Sequence, residues 1–443
     1  MDRTGELMLE GKTFYIHTFG CQMNVNDSEH LASLLLAEGA RPARSPEDSD
    51  FILVNTCAVR EKSVLKLFSY LGRLKEQKER RGSVLACLGC VAQLHREQLL
   101  KKFPYLDLVA GPHQYAAVPL LLRNLQVERR VLTAWEKDWV DLPIVPEARE
   151  SRVSAYVTIM EGCNNFCTFC VVPFVRGREK YRPLPSILQE VRELAGRGYL
   201  EVQLLGQNVN SYRDPDSGAG LPELLAAVAE VPGIEWVRFL TSHPRDFSPA
   251  LIEAMAASPK VCRQLHLPLQ SGSDRILKAM NRQYTRAEYL EIVERLQALM
   301  PDISLSTDLI VGFPGETEDD FEQTMEMLEK IRFTNIFSFR YSPRPRTAAS
   351  RLKDDVPEET KIERLIRLQT RQKEIQLELN RRLIGRTIRV LCLGASKKGQ
   401  LFAGRNEGLQ VVNFRSEQDV SNRMVEVRVT GCGPYSLHGQ LDG

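Results

Sequence analysis

Long apolar runs are missing from this chain. None of its hydrophobic stretches approaches the roughly 20 residues that a membrane-spanning helix needs. The opening segment, MDRTGELMLEGK, has no apolar core of the signal-peptide kind. Both absences point to a reducing cytoplasm and to no membrane partner. Net charge is nearly absent as well: 59 Lys and Arg stand against 57 Asp and Glu, so the whole chain implies no strongly charged partner. There is no internal repeat, no low-complexity tract and no G-x-G-x-x-G word, so neither a solenoid nor the usual dinucleotide fingerprint is suggested. Cysteine, in contrast, is plentiful. Ten cysteines in a reducing compartment argue for metal or redox chemistry over disulfides. A length of 443 residues implies two or three domains of ordinary globular composition.

Three of those cysteines organise the rest. Cys163, Cys167 and Cys170 lie in EGCNNFCTFC with the spacing C-x3-C-x2-C. Three thiolates this close hold one compact metal centre but leave it one ligand short of four-cysteine clusters and of structural zinc. An open coordination position is a catalytic feature. A zinc knuckle or a redox cysteine pair is the alternative that spacing alone leaves open. AYVTIM (155–160) reads as a buried strand, so the loop sits at a strand's carboxyl end, where α/β barrels place their chemistry.

Upstream, strands at 12–18, 50–56 and 83–89 alternate with helices at 24–38 and about 60–80, which predicts a Rossmann-like parallel sheet. One cysteine follows each of the first three strands: Cys21, Cys57 and Cys90. Carboxyl ends of neighbouring parallel strands lie side by side, so these thiols can converge on a second three-thiolate site. Buried cysteines acting as small apolar residues are the plainer alternative.

Downstream of 153, strands at 155–160, 201–206, 236–242, 264–269, 303–312 and 335–341 alternate with helices. Six units, against the eight of a closed barrel, predict an incomplete (β/α)6 barrel whose open side admits a large substrate. Polar words end its strands: Gly206-Gln207-Asn208, Thr241-Ser242-His243, Gln270-Ser271 and Gly312-Phe313-Pro314-Gly315. Each is an ordinary turn or a ligand-binding loop. His243 is a general base or, alternatively, a structural or ribose-side group. A helix over 357–383 carries an arginine-rich face, read either as a solvated amphipathic surface or as an anion-binding one. From Arg340 to Val390 there are 14 basic and 7 acidic residues. Five short strands over 386–443 then predict a small barrel with 8 basic and 5 acidic residues. The boundaries drawn are 1–140, a linker over 141–152, the barrel over 153–347, a connecting segment with the basic helix over 348–383, and the small barrel over 384–443.

The words VTIMEGCNNFCTFCVVP, TFGCQMNVNDSE, VNTCAVRE and LGCVAQ resemble those of the radical SAM methylthiotransferases, and the resemblance runs from about residue 12 to 441. GQNVNSY and CNNFCTFCVVP look most like the branch that converts N6-isopentenyladenosine, at position 37 of tRNA, to its 2-methylthio form. The resemblance implies an α/β chain: a Rossmann-like domain, a partial radical SAM barrel and a TRAM-like, RNA-binding all-β barrel. It implies two 4Fe–4S clusters. One, on Cys163, Cys167 and Cys170, binds S-adenosylmethionine (SAM); the auxiliary one uses Cys21, Cys57 and Cys90, with Cys87 a packed bystander. Cofactor contacts would come from Phe169, Gly206, Gln207, Asn208, Ser242, His243, Gln270 and Ser271. No side chain is assigned a catalytic role, since cluster and SAM carry the chemistry: one SAM methylates a sulfur on the auxiliary cluster and a second yields the substrate-activating radical. RNA-binding candidates are Arg344, Arg346, Arg371, Arg381, Arg382, Arg386, Lys397, Lys398 and Arg405. Arg346 replaces a glycine usual in the family, a strained choice if the backbone angle there is positive. The implied partners are tRNA, an electron donor such as flavodoxin or ferredoxin, and a sulfur source, acting on a monomer. Three alternatives stand beside this: an aspartate of a ribosomal protein or another N6-modified adenosine as substrate, an enzyme without the second cluster, and a non-catalytic RNA-binding iron–sulfur protein.

Overall fold

The computed structural model describes residues 9–59, 61–124, 130–396 and 401–442. The chain opens with β1 (Thr13–Phe19), α1 (Gln22–Ala37), β2 (Arg41–Pro42), β3 (Phe51–Thr56), α2 (Glu61–Arg81), β4 (Val84–Gly89), α3 (Cys90–His95), α4 (Glu97–Lys102), β5 (Leu108–Ala110), α5 (Val118–Asn124) and β6 (Arg130–Leu132). These strands form one parallel sheet in the order β2-β1-β3-β4-β5-β6. β3 is buried on both faces and β4 nearly so, which is why FILVNT and VLACLG read as continuous apolar runs. The strand order reverses between β1 and β3, giving a switch point at the carboxyl ends where open α/β sheets bind ligands. The edge strands β2 and β6 escape a sequence reading because two or three residues carry no period.

Residues 141–152 behave as more than a connector. Val145 N–H donates to Ser33 Oγ at 2.9 Å, and buried Arg149 pairs with Glu29 at 3.5 Å and Glu190 at 2.6 Å. Of the charges in this segment, Arg149 alone is buried, between α1 and the barrel; Asp141, Glu147, Glu150 and Arg152 are exposed.

The barrel comprises β7 (Ser154–Thr158), β8 (Met160–Glu161), α6 (Val172–Val175), β9 (Lys180–Tyr181), α7 (Leu184–Gly196), β10 (Glu201–Leu205), α8 (Leu221–Ala229), β11 (Trp236–Phe239), α9 (Pro249–Ala257), β12 (Gln264–His266), α10 (Asp274–Ala279), α11 (Arg286–Leu299), β13 (Ser304–Val311), α12 (Glu318–Ile331) and β14 (Asn335–Arg340). β7, β10 and β11 form one parallel sheet and β12, β13 and β14 another; a Val237–Val261 bridge joins them. Among the described residues no pairing closes β14 onto β7, so the six-stranded barrel has an open side.

The last helix of the barrel region, α13 (Glu358–Arg381), buries Leu368 and Ile375 in the barrel core. Its basic face does not meet solvent as an anion site would. Arg364 pairs with Glu316 at 2.8 Å and Glu318 at 3.0 Å, and Arg367 pairs with Glu318 at 2.6 Å and with Glu322. Arg371 is held by Glu329 and Glu374. Arg371 is therefore removed from the RNA-facing set: the acidic flank of α12 already meets its charge.

β15 (Thr387–Ala395), β16 (Phe402–Asn406), β17 (Val411–Arg415), β18 (Met424–Cys432) and β19 (Ser436–Leu441) close into a barrel around Val390, Val412, Phe414, Val427 and Leu437. Its β16–β17 turn plugs the amino end of the larger barrel. Fully buried Arg238 on β11 donates Nε to Glu201 at 2.6 Å and Nη2 to the Asn406 carbonyl at 2.9 Å. Arg263 N–H donates to Glu407 at 2.8 Å and Ser304 Oγ to the Gly408 carbonyl at 3.1 Å. No helix among the described residues is long and apolar enough to cross a membrane. Replacing Arg238 with Met is expected to destabilise the chain by roughly 3–5 kcal/mol, because Glu201 is left charged, buried and unpaired. Urea unfolding checks this, and an unchanged midpoint would show that the buried ion pair within the larger barrel adds nothing to its stability.

Candidate active site

The first cysteine set forms at the switch point of the amino-terminal sheet. Register aligns Phe19 with Thr56 and Thr56 with Gly89, so Cys21, Cys57 and Cys90 leave three adjacent strands at nearly the same level. Two glycines allow the close approach. A Cβ on Gly20 would lie 2.8 Å from Cys57 Cβ, and one on Gly89, at φ 87°, would meet Asn55 Oδ1 at 2.2 Å. Asn55 fixes the cluster of turns by donating Nδ2 to the Asn24 carbonyl and to Ser28 Oγ, both at 3.0 Å. Cys21 and Cys57 share a hydrogen bond that lowers the Cys21 thiol to about 6 and raises that of Cys57. Burial pushes the Cys90 thiol up, against the pull of the Arg176 guanidinium. Cys87 points instead into the apolar cluster of Ile52, Val54, Leu71 and Val91, where burial raises it to about 12.

The second set lies on the loop after β7. Cys163 N–H donates to the Gly177 carbonyl and Cys170 N–H to that of Cys167, which curls the loop so that its thiols face each other electrostatically. Gly162, at φ 83°, is obligatory, since a Cβ there would lie 2.1 Å from the Arg178 carbonyl. Burial raises Cys163 to about 11 and Cys170 to about 12. All ten cysteines are free. Among the described residues no three His, Cys, Asp or Glu side chains converge tightly enough for a single metal ion.

Around this loop lie buried polar atoms without partners: both amide atoms of Asn165, Asn208 Oδ1, Ser242 Oγ and His243 Nε2. Each such atom costs free energy unless a ligand or water meets it, so this rim fits a small polar molecule beside the loop. Gln207 Oε1 accepts the Gly162 N–H at 2.5 Å, and Asn208 donates Nδ2 to Asp246 at 2.7 Å. His243 Nδ1 accepts the Arg245 N–H at 3.2 Å; burial, with Arg282 and Arg245 nearby, lowers the imidazole to about 2 and keeps it neutral. Gly206 is close-packed, its absent Cβ being 2.6 Å from Met160 Sδ. The Phe169 ring packs against Ile276, Met280, Phe313, Tyr341 and Ala349, leaving its backbone on the loop. Gln270 exchanges backbone hydrogen bonds with Asp308 and Ile310, and Ser271 Oγ accepts the Ser273 N–H.

Backbone strain concentrates here too. Phe166, Thr241, Gln270 and Arg346 are left-handed, at φ 48°, 73°, 71° and 71°. For β-branched Thr241 this is an outlier, and such strain clusters at sites where geometry is imposed. The turn at Arg346 does take the positive angle that glycine would suit. Sequence reasoning missed Asn165, Phe166, Asp246 and Arg282, because nothing in an isolated Asn, Phe, Asp or Arg shows that folding will aim it at this loop.

Two thiols of the first set, and strand ends beside the second, border one cavity of about 590 Å³. Cys21, Cys57, Val172, Gly206, Gln207 and Thr241 line its upper end, and Gln264, His266, Asp308 and Phe337 its wall. Arg405, Leu409 and Tyr435 of the small barrel complete it. Cys90, Cys163, Cys167 and Cys170 are not part of that lining. Of the basic candidates, Arg344 is half-buried beside Glu61 and Cys57, whereas Arg346, Arg381, Arg382 and Arg386 are exposed. Lys397 and Lys398 lie outside the described residues.

Residues 157–328 match the model of the Radical SAM superfamily, 13–111 that of the Uncharacterized protein family UPF0004, and 381–441 that of the TRAM domain. A tRNA-2-methylthio-N(6)-dimethylallyladenosine synthase of Geobacter sulfurreducens is 47% identical over 438 residues, 98% of each chain. Its namesake in Acetivibrio thermocellus is 44% identical over 436 residues, 97% of this chain and 91% of its own. Among solved structures, the radical S-adenosylmethionine methyltransferase TsrM of Kitasatospora setae has a TM-score of 0.54 at 16% identity, over 77% of this chain and 75% of that one. That likeness speaks for the fold alone.

Thr241→Gly is expected to stabilise the fold by roughly 1 kcal/mol, since glycine takes a positive φ without the Cβ penalty. Thermal unfolding checks it; a loss of similar size would mean that the threonine side chain outweighs the strain.

Proposed function

The chain belongs to the tRNA-2-methylthio-N(6)-dimethylallyladenosine synthase family, and on that premise we propose that it adds a methylthio group to C2 of N6-isopentenyladenosine at position 37 of tRNA. One observation carries this reading. Two thiols of one cysteine set, the strand ends beside the other and the TRAM turn all border a single cavity.

When bound, two 4Fe–4S clusters and SAM supply the electron, the carbon radical and the sulfur. Cys163, Cys167 and Cys170 would hold one cluster, and Cys21, Cys57 and Cys90 the other. Asn165, Asn208, Ser242 and His243 would meet the polar groups of SAM with the atoms now left unpartnered. Gly206 and Gln207 would shape that pocket, Gln207 by fixing the turn at Gly162. Neutral His243, whose Nδ1 accepts from Arg245, would donate its Nε2–H there without carrying charge.

The cavity wall offers the Phe337 ring, set edge-on to His266 with centroids 5.6 Å apart, as an apolar face for a base. Tyr435, 70% exposed at the rim on the TRAM side, is placed to stack on a neighbouring nucleotide. Exposed Arg346, Arg381, Arg382 and Arg386, with Arg405 in the cavity, would take phosphates. The enzyme would work in the cytoplasm as a monomer, served by a flavodoxin- or ferredoxin-type reductant and a sulfur donor.

Reconstituted full-length protein is expected to hold about eight iron atoms, and Cys163→Ala or Cys21→Ala about four. A parent value of four would remove the auxiliary cluster. Cells lacking the protein are expected to accumulate N6-isopentenyladenosine and lose its 2-methylthio form, read by mass spectrometry of tRNA nucleosides. Persistence of the methylthio nucleoside, with a methylthio-aspartate missing from a ribosomal protein, would overturn the substrate assignment.

A further inference from the structure

Below the cysteine loop, residues 279–284 form a seat that neither the motif words nor the cavity accounts for. Thr168 N–H donates to the Met280 carbonyl at 3.0 Å and Thr168 Oγ1 to that of Ala279 at 3.0 Å. Asn281 Nδ2 donates to the Phe166 carbonyl at 3.1 Å. Asn281 and Gln283 are both left-handed, at φ 56°, so two strained residues flank Arg282 and turn it inward. Arg282 is 4% exposed. Its guanidinium donates Nη2 to the Pro268 carbonyl at 2.8 Å, Nε to Tyr284 Oη at 3.0 Å and Nη1 to Cys167 Sγ at 3.3 Å. Tyr284 is itself tied to the Leu269 carbonyl at 2.7 Å.

The other buried arginine near a cysteine set shows what is unusual here. Arg176, close to Cys90 and Cys21, is paired with Asp27 and, at 3.2 Å, with Glu161. Among the described residues no carboxylate pairs with Arg282; its other partners are neutral oxygens. A buried, uncompensated cation is costly unless an anion lies beside it, and of the two ionisable groups it touches, the Tyr284 phenol already donates its proton to the Leu269 carbonyl, which leaves the Cys167 sulfur.

We propose that Arg282 sets the reduction potential of the centre held by Cys163, Cys167 and Cys170, through its hydrogen bond and unpaired charge at Cys167. The inference rests on reading those cysteines as iron–sulfur ligands. Reduction adds one electron from the external reductant and so one negative charge. A fixed guanidinium in a low-dielectric site stabilises that added charge and raises the potential. Lysine would keep the charge but lose the planar fork that reaches Sγ, Tyr284 and Pro268 together; glutamine would lose the charge.

The test is a redox titration of the anaerobic full-length holoenzyme and its Arg282→Lys and Arg282→Gln variants, followed by electron paramagnetic resonance. The signal that changes shape on addition of SAM reports this centre. Arg282→Lys is expected to need a mediator couple about tenfold more reducing than the parent, 59 mV for one electron, and Arg282→Gln a further step, with iron content unchanged. Equal midpoints in all three proteins would overturn the proposal and leave Arg282 a packing residue. Should Arg282→Gln lose its iron, the step from parent to lysine decides alone. A parent without any SAM-sensitive signal would overturn the ligand reading itself, and the inference with it, so the two failures are distinguishable.

Discussion

The two cysteine sets belong to different domains, and the buried ion pair of Arg176 with Asp27 and Glu161 joins them. Arg176 follows α6, six residues after Cys170; Asp27 lies on α1, six residues after Cys21. The same link continues through Thr158 Oγ1, which donates to Asn26 at 2.6 Å and so lays α1 along β7. Arg176 and Asp27 are both buried, and parting the domains would break their pairing, leaving Arg176 only Glu161 on its own side of the interface. Such pairs are weak as sources of net stability and strong as specifiers of one arrangement. Here the arrangement specified is that of the two cysteine-bearing loops. Positioning of that kind, more than any acid or base, is what radical chemistry asks of a protein.

A second constraint operates at the opposite end of the barrel. The lumen of an eight-stranded barrel is filled by large side chains. Six strands leave room, and the wall here is polar: Gln203, Gln264, His266, Ser306 and Asp308. The β16–β17 turn closes the floor, held by Arg238 and Ser304. The TRAM domain is thus part of the cavity rather than an appendage beside it. Its RNA-facing residues hold a fixed position relative to the strand ends where Gly206 and Thr241 lie. The same docking occupies three arginines of α13: the helix packs against α12 and β14, and Arg364, Arg367 and Arg371 meet carboxylates there, whereas Arg381 at its end stays exposed.

The architecture was legible in the sequence because each domain announces itself by period. Continuous apolar runs mark β3 and β4, strand–helix alternation marks the partial barrel, and short strands between Gly and Asn mark the last domain. The cysteine words were legible because a metal centre imposes spacing. The sequence left the arginine face of α13 open between solvent and anion, because it shows the charge on a helix face but not the helix that will oppose it. Arg364, Arg367 and Arg371 meet Glu316, Glu318, Glu322 and Glu329, some 40 to 50 residues earlier in the chain. Asn165 and Arg282 were missed for a related reason. Their roles depend on which buried atoms lack partners, a property of the assembled site alone.

Strain completes the account of why this loop stays where it is. The residues beside the metal-binding loop include five non-glycine positions in the left-handed region: Phe166, Thr241, Gln270, Asn281 and Gln283. Each costs about 1–2 kcal/mol relative to ordinary backbone. A chain free to relax would release that energy by rotating the strand ends away from one another. It does not, because the strands carrying them are locked by parallel ladders and by a core running from Val157 to Phe321. The well-paired sheets, packed against an apolar core, hold their own carboxyl edge in a conformation that edge would not choose. A rim held this way presents its unpartnered amide, hydroxyl and imidazole atoms before any ligand arrives, so little ordering remains to oppose binding.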